Sequence, residues 1–316
     1  MNDFKVAVLI MAHKNIEQTY RLIKKVKTDS SDVFIHCDKR WNEGFEYFNK
    51  IADCYCCENR YCSNLDEWSL VEAELALLKS AREKDNYKYY ILLSAQDYPL
   101  ISIEKIIKEL KKDYPKPFLD CTPWDLNNWV KSKFQSNIHF FYISRYINKK
   151  VNQSLIRKLL KIIPFLVFKI VDVFSNPYKR LVKKNVGLYG GSAWWILPDG
   201  IVDFILSEVK EDKDYIRELS RTITPEETFF QIMAMRSPLR DMVTVNRKDM
   251  VLQNCKTYAY FFTNTKKFVG HPYIFQDNED DRMILWDKRD SFYFARKFDI
   301  NVDKKILDYI DEYMLK

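Results

Sequence analysis

The stretch Thr224-Pro225-Glu226-Glu227-Thr228-Phe229-Phe230-Gln231 has the form of a helix start. Thr224 is a suitable N-cap, Pro225 fits the first helical position, and two acids follow where backbone N–H groups have no intrahelical partner. Glu227 stands three residues after Thr224, so these residues also read as a capping box that only closes the helix end. The chemical alternative is a carboxylate kept ionised by the helix N-terminus and ready to take a proton from a hydroxyl. A second place is Phe292-Tyr293-Phe294-Ala295-Arg296-Lys297-Phe298-Asp299. Two cations among aromatic and apolar neighbours are costly unless an anion meets them, and the anion is either a carboxylate such as Asp299 or a diphosphate.

The elements that must position these groups read as α/β. Val6 to Met11 is a continuous apolar run of strand length, ended by Ala12-His13-Lys14-Asn15 before a helical pattern over Thr19–Val26. A second strand, Val33–Cys37, stops at Asp38-Lys39, and strand, helix, strand opens a parallel sheet whose ligands bind beyond the carboxyl ends of the strands. Trp68–Lys79 is patterned as an amphipathic helix, and Tyr89–Ser94 is the most strand-like segment, followed at once by Ala95-Gln96-Asp97. Ile103–Lys111 reads as a surface helix. Three of the six glycines fall in Gly187-Leu188-Tyr189-Gly190-Gly191, so the backbone there passes close to something or turns through positive φ. Ser192–Leu197 is strand-like, Ile201–Val209 helical, Met242–Val245 a strand, and a final helix carries Ile306, Leu307, Ile310, Tyr313 and Met314. Neither G-x-G-x-x-G nor a P-loop is present.

Composition narrows the class. With 47% hydrophobic and 15% aromatic residues the 316-residue chain is not a disordered one. Its net charge of +7 is local: eleven basic residues between Arg145 and Lys184 stand against one acid, Asp172, so the remainder is net acidic. One basic face describes the chain better than a coat for nucleic acid. Leu155, Leu159, Ile162 and Ile163 beside Arg157, Lys158 and Lys161 read as an amphipathic helix that either packs on its own domain or rests on anionic lipid. The apolar run Ile162–Phe168 is too short to cross a bilayer, which takes about 20 residues. Seven cysteines without a signal peptide point to reduced thiols. The Cys54–Cys62 group lacks the paired C-x-x-C of zinc sites and has no histidine beside it. The literal D-x-D, Asp212-Lys213-Asp214, lies in a charged helical stretch and reads as a solvated face.

Five motifs taken together carry a resemblance. Ile35-His36-Cys37-Asp38-Lys39, Leu93-Ser94-Ala95-Gln96-Asp97-Tyr98-Pro99-Leu100, Gly191-Ser192-Ala193-Trp194-Trp195, Pro225-Glu226-Glu227 and Phe294-Ala295-Arg296-Lys297-Phe298-Asp299 occur in this order over essentially the whole chain. The order resembles that of the core-2/I-branching β-1,6-N-acetylglucosaminyltransferases and the related peptide O-xylosyltransferases, in particular shorter bacterial members without the membrane anchor and stem of the Golgi enzymes. The resemblance implies one glycosyltransferase domain over 1–316 with a GT-A type fold, a mostly parallel central sheet flanked by helices. Its nucleotide-binding half would cover about 1–120, and its acceptor-binding and catalytic half about 121–316.

That resemblance also implies an inverting transfer from a UDP-sugar, N-acetylglucosamine favoured, without a divalent metal or other cofactor. The lone Asp97 agrees, since a metal is usually held there by a pair of acids. Glu227 matches the family's general base and Lys297 a lysine that neutralises the leaving diphosphate. Ala12, His13, Lys14, Cys37, Asp38, Lys39, Asp97 and Arg296 fall at nucleotide-sugar positions, and Trp194, Trp195 and Glu226 at the acceptor side. A second diphosphate cation is expected upstream of Lys297, with Lys266, Lys267, His271 and Arg296 as candidates. Ala95 replaces the usual glycine, Glu226 often an aspartate, and the animal disulfide framework is not traceable. The expected partners are a UDP-sugar and a glycan or lipid-linked glycan acceptor, not nucleic acid. The expected setting is bacterial surface polysaccharide synthesis, in the cytoplasm or peripheral to the inner face of the plasma membrane. The alternative is a non-catalytic peripheral protein that binds anionic membrane or nucleic acid through the basic 145–184 segment.

Overall fold

The computed structural model describes residues 4–64, 67–126, 181, 187–222, 224–246, 259–260 and 273–316. The basic segment 145–184 and the cation candidates Lys266, Lys267 and His271 lie outside them, Leu181 excepted.

A six-stranded sheet forms the centre, in the order β3-β2-β1-β4-β9-β6. Its strands are β1 (Val6–Ala12), β2 (Ser31–Cys37), β3 (Tyr55–Cys56), β4 (Tyr89–Ser94), β6 (Phe118–Leu119) and β9 (Trp195–Pro198). The first four in spatial order run parallel, β9 runs antiparallel to β4, and β6 antiparallel to β9. Every residue of β1 and of β4 is buried, which is why both read as unbroken apolar runs rather than alternating ones. Helices cover both faces. On one side lie α1 (Ile16–Val26), α2 (Asn42–Phe48), α4 (Ile103–Asp113) and the last helix, α9 (Lys305–Tyr309), continued by a π-turn over Ile310–Met314. On the other lie α3 (Trp68–Lys84), α5 (Asp199–Glu211), α6 (Lys213–Leu219) and α7 (Phe229–Arg236). The remaining helix, α8 (Glu279–Lys288), precedes the last strand.

Two small sheets sit beside the large one. β5 (Asp97–Pro99) pairs antiparallel with β11 (Phe294–Arg296), which in turn pairs with β10 (Ala259–Tyr260), and β7 (Thr122–Pro123) pairs with β8 (Tyr189–Gly190). The β5–β11 register sets Arg296 opposite Asp97. Thus the end of the chain is stitched to the turn that follows central strand β4.

Three sequence expectations need correction. α1 begins at Ile16, before Thr19, because Asn15 at φ 62° caps it by accepting the Gln18 N–H at 3.0 Å. The expected strand at Met242–Val245 is absent, and a 3₁₀ turn over Arg240–Met242 stands at its start. The third concerns Thr224. It sits at φ 49° and makes no capping hydrogen bond with its side chain, and Pro225–Glu227 is a single 3₁₀ turn from which α7 starts only at Phe229. The segment is therefore a separate turn, closed by the Glu227 N–H on the Thr224 carbonyl at 2.9 Å. The D-x-D is the solvated stretch expected, with Lys213 and Asp214 exposed, Asp214 paired with Arg217 at the surface and Asp212 capping α6 by accepting the Tyr215 N–H.

Candidate active site

Parallel register brings three strand ends to one edge. Ala12 stands beside Cys37 and Met11 beside Ser94, so Ala12-His13-Lys14, Cys37-Asp38-Lys39 and Ala95-Gln96-Asp97 leave the sheet together. The Ala12 carbonyl accepts the Asp38 N–H at 2.8 Å, and the Met11 carbonyl the Ala95 N–H at 2.9 Å. Ala12, Cys37, Asp38 and Asp97 are buried and form the floor, whereas His13 and Lys39 stand exposed and Lys14 half-buried. A ligand on this edge meets the latter three directly. Burial works against ionisation of Asp38, but the Arg40 guanidinium and the backbone N–H groups of Arg40 and Ser63 outweigh it, holding the carboxyl at about 2. His36, beneath the loop, accepts the Tyr61 N–H, and burial lowers its imidazole to about 4, so it is neutral.

Two residues that order this edge were not singled out from sequence. Arg60 donates to the carbonyls of Cys37 at 3.1 Å, Asp38 at 2.8 Å and Lys39 at 3.0 Å. Gln18 is 2% exposed, and its amide donates to the carbonyls of Ala95 at 2.9 Å and Phe298 at 3.0 Å while its oxygen accepts the Ile300 N–H at 2.9 Å. One side chain thus clamps α1, the β4–β5 turn and the end of β11. Its only signal in sequence is a polar residue four before Leu22 on the buried face of the helix.

Four cationic or titratable side chains gather above that floor. Arg296 is held by Asp97 at 2.8 Å, and its guanidinium lies 4.6 Å from the centre of the Trp194 ring. Asp97 is wholly buried, and its second oxygen accepts the Ser94 N–H at 2.7 Å. Burial pushes its carboxyl up, against the pull of Arg296. Lys14 pairs with Asp299 at 2.5 Å. Lys297, next to both pairs, has no carboxylate within ion-pair distance among the described residues. Desolvation lowers its ammonium below the usual lysine range, and the charges of Arg296 and Lys14 lower it further. The His13 ring is pushed down likewise, by burial of its inner side and then by Lys14 and Lys297, although its edge stays open to solvent. The anion expected beside Arg296 is thus the buried Asp97, and Asp299 serves Lys14. Lys297 is left as the group whose charge calls for an incoming anion.

The Glu227 turn is fixed on the flank of the same strip. Its carbonyl accepts the Gly191 N–H at 2.8 Å. A Cβ on Gly191 would collide with the backbone carbonyl of Asp120, so the glycine lets two chain segments touch. From Gly191 the chain runs three residues to Trp194, under Arg296. Gln231 of α7 donates to the Ser192 carbonyl at 2.6 Å and locks helix and strip together. Asp120, just past β6, accepts the Ser192 N–H at 3.1 Å and also the Asn246 side-chain amide. Burial raises its carboxyl to about 6, and the nearby Glu227 adds to the rise. Sequence reasoning did not single out Asp120. The Glu227 side chain is half-buried, whereas Glu226 is 4% exposed and Trp195 fully enclosed against Phe230 at 4.8 Å. Trp195 and Glu226, expected on the acceptor side, are thus both buried, while Trp194 is half-buried against Arg296.

A family model described as core-2/I-branching enzyme matches residues 6–291. The chain belongs to that family. Among its relatives, rat xylosyltransferase 2 is 24% identical over 325 residues, covering 97% of this chain and 33% of the relative. Xylosyltransferase sqv-6 of Caenorhabditis elegans is 21% identical over 96% of the chain and 36% of its own length. Human β-1,3-galactosyl-O-glycosyl-glycoprotein β-1,6-N-acetylglucosaminyltransferase is 23% identical over 99% of the chain and 70% of its own length. The chain thus spans about a third of the length of the xylosyltransferases it matches. A solved structure, apo mouse xyloside xylosyltransferase 1, aligns with 81% of the chain and 87% of its own at a TM-score of 0.33 and 11% identity, too slight a likeness to carry an argument.

Cys37, Cys54, Cys56, Cys57, Cys62 and Cys121 are free thiols; Cys54, Cys56 and Cys57 line a groove of about 710 Å³ between β3 and α3. Among the described residues no three His, Cys, Asp or Glu side chains are grouped to hold a metal ion, and no helix is long and apolar enough to cross a membrane.

Proposed function

We propose that the chain is an inverting glycosyltransferase of GT-A type that moves a sugar, N-acetylglucosamine favoured, from a UDP-sugar to a glycan hydroxyl. The observation that carries this reading is the shared strip. Gly191 holds the Glu227 turn, and Trp194, three residues on, lies under Arg296 beside Lys297. Family membership and the transferase names of its relatives support it.

In this reading the Glu227 carboxylate takes the proton of the acceptor hydroxyl. The oxygen attacks the anomeric carbon, the bond from that carbon to the diphosphate oxygen breaks on the opposite face, and UDP leaves with the electron pair. A positioned base contributes roughly 10²–10⁴-fold. Lys297 meets the charge that grows on the departing diphosphate, with Lys14 and His13 at its side and Arg296 anchored behind it. The nucleotide would lie over His13, Lys14 and Lys39, with Ala12, Cys37, Asp38 and Asp97 shaping the floor. The acceptor would approach from Trp194. The reaction would proceed without a divalent metal, the protein cations taking its place. A role in bacterial surface polysaccharide synthesis, at the inner membrane face, belongs to the same proposal.

The test is a screen of UDP-sugars for protection against thermal unfolding, followed by transfer assays with the protecting donor. No stabilisation by UDP or any UDP-sugar would sink the reading.

A further inference from the structure

Gln18 commits its whole side-chain amide to the backbone around the cations. Its two N–H groups go to the carbonyls of Ala95 at 2.9 Å and Phe298 at 3.0 Å, its oxygen accepts the Ile300 N–H at 2.9 Å, and the residue is 2% exposed. Each partner adjoins a charged group of the cleft. Ala95 lies two residues before Asp97, which holds Arg296; Phe298 follows Lys297; and Ile300 follows Asp299, which holds Lys14. An amide alone offers two donors and an acceptor at one place: a carboxylate would set its oxygens against two carbonyls, and an ammonium has nothing for Ile300. The backbone of Lys297 is fixed on its far side, its N–H donating to the Tyr273 carbonyl at 3.2 Å and its carbonyl accepting the Phe275 N–H at 3.0 Å. Gln96 adds a longer bond to the Phe298 carbonyl, at 3.4 Å. Toward α1 the same segment is tied by the buried Gln18.

Lys14 and Lys297 bring like charges into one cleft, since Lys14 reaches Asp299, two residues past Lys297. Cations gathered in this way repel one another, so the elements that carry them must be fastened. We propose that Gln18 is a positioning residue: its buried amide fastens the start of α1 to the 298–300 backbone and so keeps Lys14 and Lys297 at one spacing, a pair ready for a diphosphate. The groups that face Lys297 are Arg296 and Asp97 from the β5–β11 pair, Lys14 and His13 from the end of β1, and Asp299 on its own segment. Desolvation, with the charges of Arg296 and Lys14 behind it, holds the Lys297 ammonium below the usual lysine range. Release of α1 would let Lys14 draw away and water enter, and both changes raise it. The inference rests on the diphosphate reading of this cleft, but its first readout does not.

The experiment compares the wild-type chain with Gln18→Met, which has the length but no amide, and Gln18→Asn, which has the amide but not the reach. Leu22→Ala, one turn along the same buried face of α1, controls for lost stability. Competitive acetylation with acetic anhydride across the alkaline range, read peptide by peptide in a mass spectrometer, gives the titration midpoint of Lys297 without any ligand. That midpoint should rise by ~0.5 pH unit or more in Gln18→Met, rise less in Gln18→Asn and stay in place in Leu22→Ala. UDP affinity, measured by calorimetry where all four proteins are folded, should fall about tenfold or more in Gln18→Met and stay within about twofold in Leu22→Ala. Should Gln18→Met not fold, Gln18→Asn carries both readings. A Lys297 midpoint unmoved in the Gln18 variants overturns the proposal, as does an equal change in Leu22→Ala. So do equal UDP affinities in a wild type that binds UDP and in its Gln18 variants. A midpoint that moves as expected, in a wild type that binds no UDP, leaves the positioning intact and counts against the proposed function alone.

Discussion

The Gly191 amide donates to the Glu227 carbonyl at 2.8 Å, and the α-carbon of the same glycine faces the Asp120 carbonyl with no room for a side chain. One residue therefore ties the candidate base to the strip that leads to Trp194 and the cations. Replacing Gly191 by alanine must separate it from Asp120 or shift the Glu227 turn. The expected result is a lower melting temperature with a fall in kcat of tenfold or more, read by calorimetry and transfer assay. Unchanged kcat would mean that the turn is positioned from elsewhere.

Glu227→Gln keeps the shape of the turn and removes the proton acceptor. The expected loss in kcat is ~10²–10⁴-fold, the usual worth of a positioned base. UDP affinity should hold, because the cations that meet the diphosphate are untouched. Titration calorimetry with UDP, run beside the transfer assay, separates the two effects. Turnover near wild type in this variant would remove the assignment.

How far these groups were legible in the sequence differs from group to group. β1 and β4 were plain because strands buried on both faces leave near-continuous apolar runs, whereas β2, with Asp32 and His36 in it, was legible from Val33 to Cys37. The collision behind Gly191 was foreshadowed by clustered glycines in a glycine-poor chain. Thr224 misled, because a threonine three residues before a glutamate fits a capping box whatever its φ, and the left-handed conformation at 49° is set by packing that no local pattern records. Asp97 and Arg296, 199 positions apart, meet through the β5–β11 register, and Asp120 and Asn246 through the Asn246 N–H on the Cys121 carbonyl beside them. Long-range pairing of that kind leaves no trace in spacing.

Lys297 predicts a proton uptake. Desolvation and neighbouring cations lower its ammonium in the free protein, and a diphosphate arriving beside it would favour the charged form. Binding of UDP should therefore take up protons at alkaline pH, and affinity should weaken as pH rises through the free-state value. Calorimetry in buffers of different ionisation enthalpy measures the uptake directly, and Lys297→Met should abolish it together with at least tenfold in affinity. Equal uptake in wild type and variant would assign the proton to another group, with His13 the first to examine.

Metal independence has a direct check. If Lys297, with Lys14 and His13, takes the charge of the departing diphosphate, excess EDTA should leave the initial rate within about twofold, and added Mn²⁺ or Mg²⁺ should not restore the Lys297→Met variant. A strict requirement for a divalent ion would overturn this part of the reading while leaving Glu227 untouched.

Asp120 makes stability depend on pH in a definite direction. Burial raises its carboxyl from 3.8 to about 6 in the folded chain, so the folded state binds this proton more tightly than the unfolded one. Its contribution is complete below pH 3.8 and is lost as pH rises through about 6. Asp120→Asn carries no such proton and, with one acceptor oxygen instead of two, cannot accept from both Ser192 and Asn246 equally well. The variant should be the less stable protein at pH 4, and the gap in melting temperature should narrow steadily toward pH 7. A gap that is constant or widens over that range would place the Asp120 ionisation near its ordinary value. It would also remove the argument that Glu227 and Asp120 feel each other across the strip.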